Sequence, residues 1–165
     1  MTTEPIHPAV RVGHVHLCVS DLDRAIAFYR DVLGLAVTAD ARGIGHPAAF
    51  LAAGDYHHHV GLNCFESAGG TPAPPGHTGL YHVAFVYPDK RELARAVRRV
   101  LDHGHPVGHA TDHGANVAVY LADPDGNGIE LYYDRPRSEW FDAEGEPILR
   151  NDHFDPRELL DEVVA

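Results

Sequence analysis

Two stretches of this chain, "HVHLCVSDLDRAIAFYRDVL" from His14 and "HVAFVYPDKRELARAVRRVL" from His82, lie over one another at an offset of 68 residues. His14/His82, Val15/Val83, Asp21/Asp89, Arg30/Arg98, Val32/Val100 and Leu33/Leu101 coincide. Self-similarity at a fixed distance marks a chain built from copies of one supersecondary unit. Each copy opens with a short strand, residues 12–19 carrying His14 and residues 80–87 carrying His82. A helix follows each strand. In the first, Ser20 is a fitting N-cap, Leu22, Ile26, Tyr29 and Leu33 repeat at helical spacing, and Gly34 supplies the stop. In the second, Leu93, Val97, Val100 and Leu101 form the stripe and Gly104 ends it.

After each helix the pattern turns β-like. "HPAAFLAAGDYHHHVGLNCF" reads as two strands around Gly-Asp, and "NVAVYLADPDGNGIELYYD" as two more around Pro-Asp-Gly-Asn-Gly. With further strands near 35–41 and 106–111, each half is a βαβββ unit. The expectation is an α+β fold in which two βαβββ modules pair to form a metal-binding cleft. It is read as a single domain over 1–165, with module one at about 10–66, a Gly/Pro-rich linker at 67–79, module two at about 80–134 and a tail at 135–165. "DPRELLDEVV" in the tail reads as a short helix packed on the outside or on a partner.

Composition excludes several classes. The 44% hydrophobic content suits a packed globule rather than a disordered chain. A formal net charge of −11 argues against nucleic acid or an anionic membrane as partner. Met-Thr-Thr-Glu-Pro does not resemble a signal peptide, and two cysteines, Cys18 and Cys64, make no disulfide framework; the expectation is a reduced, cytoplasmic protein.

Fourteen histidines are the anomaly. His14 and His82 hold equivalent positions on equivalent strands, and equivalent positions approach each other near an internal two-fold. Glu130 stands among Ile129, Leu131 and Tyr132, where a lone carboxylate is costly unless it is paired or bound to a cation. Two imidazoles and one carboxylate make a 2-His-1-carboxylate set with open positions, suited to Fe(II) and open also to Mn(II), Ni(II) or Zn(II). A run of three histidines, His57, His58 and His59, adds a metal site, an acid–base site or a polar strand edge. If residues 56–63 form a strand, His57 and His59 share one face and His58 takes the other.

"GHVHLCVSDLDRAIAFYRDVLGL" with "YLADPDGNGIELYYD" resembles the vicinal oxygen chelate superfamily, which includes glyoxalase I, fosfomycin and bleomycin resistance proteins and type I extradiol dioxygenases. The likeness covers about residues 10–134. Thr111, His113, Val119, Tyr120, Asp123, Pro124, Gly126 and Glu130 fill every position of a stretch shared by type I extradiol dioxygenases. The resemblance implies His14, His82 and Glu130 as iron ligands, Tyr120 near the substrate oxygen, His113 just behind it and His59 as acid–base. His57 shares the face expected of His59, and His16 lines the same pocket. It also implies a small catecholic substrate with O2, and a homodimer. A glyoxalase-like lyase or isomerase, or a protein that sequesters a small aromatic or drug, is the alternative. Most well-known extradiol enzymes are roughly twice this length, so the expectation is that two modules make the whole site here, or make it together with a dimer partner.

Overall fold

A computed structural model describes residues 4–164; Ala165 and the first three residues, on which the reading of the chain's start partly rests, lie outside the described residues. The first unit runs β1 (Val15–Cys18), α1 (Leu22–Ala27), β2 (Ala36–Asp40), β3 (Ala48–Ala52) and β4 (Val60–Asn63). The second runs β5 (Val83–Tyr87), α2 (Lys90–Asp102), β6 (Ala110–Gly114), β7 (Asn116–Ala122) and β8 (Gly128–Asp134). Their sheets have the same spatial order, β1-β4-β3-β2 and β5-β8-β7-β6, and the second gains an outer strand, β9 (Leu149–Phe154). In each, the first and last strands of the unit pair in parallel and the remaining pairs are antiparallel. The expected α+β architecture of two βαβββ units is present.

The local reasons are those of the sequence, with small displacements. Asp21, not Ser20, caps α1, its carboxylate accepting the Arg24 amide, and Asp89 caps α2 in the same way from the matching position. Beyond Ala27 the first helix widens into a π turn over Phe28–Val32, closed by the Leu33 amide reaching the Phe28 carbonyl at 3.1 Å. Gly34 then turns the chain with φ +84°, a conformation that suits glycine.

Strand alternation divides each sheet into two faces. Val15, Leu17, Ala49, Leu51, Val60 and Leu62 in the first, with Val119, Ile129 and Leu131 in the second, join one core cluster with the buried sides of α1 and α2. The opposite faces are open: His14, His16, Cys18, Ala84 and Val86 are all exposed.

Module one docks onto module two through its helical side. The Tyr29 hydroxyl donates to Asp123 Oδ2 at 3.1 Å, and Asp123 is only 4% exposed. Asp125, two residues on, accepts from the Ser20 amide, the Ser20 hydroxyl and the Arg24 guanidinium. The Arg99 guanidinium reaches the Leu33 carbonyl at 3.3 Å, and the Phe28 ring packs on His105 at 4.7 Å.

The tail is richer than the single helix expected for it. β9 pairs antiparallel with β6 (Ala110↔Phe154, Thr111↔His153), and a 3₁₀ turn over Pro156–Leu160 leads into α3 (Asp161–Val164). Asp155 and Glu158 form a capping box there, and Leu159, 2% exposed, seals the segment against α2 of the same chain, where Lys90 pairs with Glu162. Among the described residues no helix is long and apolar enough to cross a membrane.

The Tyr29–Asp123 bond joins the modules inside the core, so its loss is costly. Tyr29→Phe is expected to lower unfolding free energy by about 1.5–3 kcal/mol, the range for hydrogen bonds to charged groups. Asp123→Ala is expected to cost more, because the turn amides that it accepts lose their partner as well; denaturant unfolding of the two variants checks the order.

Candidate functional site

On the open face of the second sheet, Glu130 on β8 lies opposite Tyr120 on β7 and beside Ala84 on β5. His82 Nε2 sits 3.0 Å from Glu130 Oε2, and the Tyr120 hydroxyl donates to Glu130 Oε1 at 2.8 Å. The Glu130 side chain is only 12% exposed, and both of its oxygens are partnered. His113 on β6 brings Nε2 to 2.8 Å from the Tyr120 hydroxyl and Nδ1 to 3.3 Å from the Arg150 carbonyl on β9. His109 stacks on the Tyr120 ring, centroids 4.7 Å apart and planes 25° apart. Burial, then the neighbouring Glu130 carboxylate, raise the Tyr120 phenol well above an ordinary tyrosine. It therefore stays a hydrogen-bond donor across the neutral range.

His14 is not part of this arrangement. It lies on the open face of the first sheet, where its ring meets His58 at 4.4 Å. Among the described residues no group of three or more His, Cys, Asp or Glu side chains is placed to hold a metal. One chain thus offers two adjacent donors, His82 and Glu130, and these alone do not fit a three-ligand metal. The approach of His14 to His82 expected from the internal two-fold does not occur within the chain. The reason is the docking just described: module one meets module two through Tyr29, Ser20 and Arg24 on its helical side, which leaves its open face elsewhere.

The histidine run also differs from its expectation. The strand starts only at Val60, so strict alternation does not govern His57–His59. His58 is the one directed to His14, and it also packs on Phe50 at 5.0 Å. His59 turns the other way: its Nδ1 accepts the Ala53 amide at 3.2 Å and its ring lies on Tyr56. His57 packs on Tyr56 and brings Nδ1 to 2.7 Å from His58 Nδ1. Desolvation, then the surrounding imidazoles led by His14, hold His58 below the usual histidine range. His16 stands edge-on to Phe50 and lies over Gly61, where any β-carbon would come within 2.9 Å of its ring.

Register explains why the carboxylate stands in one half only. Val15 pairs with Val60 and Val83 with Ile129, so Gly61 is the counterpart of Glu130, and His16 the counterpart of Ala84. The sequence pattern misses two contributors, His109 and Arg150; the first lies in a β6 approach with no repeat partner, and the second acts through its backbone carbonyl.

A family model described as the Glyoxalase/Bleomycin resistance protein/Dioxygenase superfamily matches residues 11–131. The chain is 38% identical over 159 residues to a catechol-2,3-dioxygenase of Bacillus subtilis, covering 95% of this chain and 53% of that protein. It is 32% identical over 125 residues to biphenyl-2,3-diol 1,2-dioxygenase 3 of Rhodococcus globerulus, covering 75% of this chain and 63% of that one. The chain therefore spans between about half and two thirds of the length of these relatives. Among solved structures, a lactoylglutathione lyase of Agrobacterium tumefaciens superposes with a TM-score of 0.58 at 28% identity, over 77% of this chain and 96% of that chain.

The protonated phenol of Tyr120 sets a stability signature. Its pKa is raised on folding, so its contribution is complete below the ionisation range of a free tyrosine, near pH 10, and fades as pH climbs toward the folded value. Wild type is therefore expected to lose stability above about pH 10 more steeply than Tyr120→Phe. Urea unfolding from pH 8 to 11 checks this, and parallel curves for the two proteins would contradict it.

Proposed function

This chain belongs to the glyoxalase/bleomycin resistance protein/dioxygenase superfamily, and on that premise we propose that it is an Fe(II)-dependent extradiol dioxygenase that opens the ring of a catecholic aromatic with O2. The observation that carries this reading is Glu130 held between His82 and Tyr120, with His113 behind, on a sheet face left open to solvent. Two relatives named as ring-diol dioxygenases support it.

In this reading the chain acts as a single domain of two modules, and the working unit is a homodimer. His82 and Glu130 of one copy meet His14 of a second copy, whose first-sheet face lies over the second-sheet face of its partner. That union would bring together the two imidazoles and one carboxylate that would hold Fe(II), and the metal would supply binding of the diol and of O2. The partly exposed His82 and the exposed Val86 and Tyr81 beside it suit a face that another copy covers.

This chain's own residues have definable tasks. Tyr120 holds one oxygen of Glu130 and leaves the other for His82, so the carboxylate is oriented before anything binds. His113 fixes the phenol in turn. His58, the histidine of the run that accompanies His14, takes the acid–base task, where sequence favours His59. A neutral imidazole there can accept a proton from a substrate hydroxyl and return it.

A second reading is a lyase or isomerase working by proton transfer on the same donors with Ni(II), Zn(II) or Mn(II); the likeness to the Agrobacterium lyase favours it.

The test is anaerobic loading with Fe(II), then oxygen uptake on a panel of small catechols. Iron-dependent uptake with a yellow ring-fission product is expected, falling to background in His14→Ala, His82→Ala and Glu130→Ala. Co-expression of His14→Ala chains with Glu130→Ala chains is expected to recover about a quarter of the wild-type rate, since random pairing of a two-fold dimer restores one of two sites in half of the dimers. A mixture as inactive as its parents would place the site within one chain. Metal binding without uptake on any catechol would turn the reading to the lyase.

A further inference from the structure

The tail from Arg135 onward lies beyond the part of the chain that the family model matches, yet it reaches the candidate site. It is fastened at both ends. At the start, Arg135 pairs with Asp112 on β6 at 2.6 Å, and the Trp140 indole donates to the Arg135 carbonyl at 2.7 Å. At the end, Leu159 is buried against α2 and Lys90 pairs with Glu162. β9 is stretched between these anchors along the edge of β6.

Two of its groups face the residues around Tyr120. The Arg150 carbonyl lies 3.3 Å from His113 Nδ1, while the other nitrogen of that ring meets the Tyr120 hydroxyl. A carbonyl can only accept, so in a neutral ring the proton of His113 lies on Nδ1 toward Arg150, and Nε2 is left to accept from the Tyr120 hydroxyl, whose proton it shares with Glu130. That arrangement fixes the ring plane and aims its Nε2 at Tyr120. The second group is His153. Its Nδ1 meets the hydroxyl of Thr111, a residue 1% exposed, at 3.0 Å, and the Asn151 amide approaches its Nε2 at 3.5 Å. Its ring stands edge-on to His109 at 5.4 Å, and His109 stacks on Tyr120.

We propose that β9 is a positioning element of the site, bracing Tyr120 from two sides: its hydroxyl through Arg150 and His113, and its ring through His153 and His109. Glu130 is thereby aimed by the tail. His153 and His109 are positioning residues in this account, acting through Tyr120. The inference deepens the dioxygenase reading but does not need iron or substrate for its test.

The experiment uses the full chain, free of metal, with 13C-labelled tyrosine, and Tyr120→Phe identifies the Tyr120 resonances. His153→Ala and His109→Ala are expected to shift those resonances; the melting temperature stays near wild type in His109→Ala, whose side chain is exposed, and falls in His153→Ala, which takes a partner from the buried Thr111 hydroxyl. His153→Asn, which keeps an N–H toward Thr111, and His109→Phe, which keeps the stacked ring, are expected to restore them. Leu159→Ala, which loosens the far anchor, should shift the same resonances. Tyr120 resonances unmoved in both alanine variants of the histidines would overturn the proposal. On the loaded enzyme, His153→Ala is expected to lower kcat several-fold with KM little changed. Absence of turnover in wild type would sink the dioxygenase reading alone and leave the spectroscopic result to decide the role of β9.

Discussion

A carboxylate buried in the turn between β7 and β8 holds the molecule in its observed shape. Asp123 receives the amides of Asp125 and Asn127, the side-chain amide of Asn127, and the hydroxyl of Tyr29 from the other module. A carboxylate so deeply placed is tolerable only when its oxygens are saturated with donors. Three of these donors are local and shape the turn itself; the fourth arrives from the π turn that follows α1. That asymmetry makes Tyr29 a latch, since three donors belong to the turn and the other module supplies the fourth.

The latch joins the helical side of module one to the β7–β8 turn of module two, and each module keeps one sheet face open. Each sheet commits one face to the shared core and leaves the other with its imidazoles, phenol and carboxylate toward solvent. The cost of holding Glu130 in a mostly apolar strand is met by the Tyr120 hydroxyl on one oxygen and the His82 ring nitrogen beside the other, and a polar network so partnered is stiffer than its separate pairs. A carboxylate aimed in advance loses little freedom on taking up a cation or a second polypeptide face. The division of donors between faces also makes the assembly a chemical requirement as well as a structural one in the function proposed above.

Much of this was legible from residue order. The repeat located both βαβββ units, because alternation and helical spacing are local properties that duplication preserves. His14 and His82 fall one residue before β1 and β5, and Glu130 lies within β8, as alignment of the halves indicates. How the modules face one another was not legible, because it depends on Tyr29, Ser20 and Arg24 meeting Asp123 and Asp125, residues distant in sequence with no shared pattern. The orientation of His58 and His59 escaped for a different reason: the connection between β3 and β4 is a loop up to Val60, and period-two reasoning fails outside a ladder. β9 was hidden because Leu-Arg-Asn-Asp-His-Phe has no apolar alternation and pairs with β6 by its backbone.

The exchange of Glu130 for Gly61 between the two units has a consequence for how such a chain tolerates change. The halves are alike in scaffold and unlike in equipment: where one carries a carboxylate, the other has a bare backbone with the His16 ring laid across it. A glutamate at position 61 would strike that ring before it could mimic its counterpart. The duplicated architecture therefore provides no reserve copy. Damage at Glu130 removes something that module one, with the His16 ring laid over Gly61, has no room to replace.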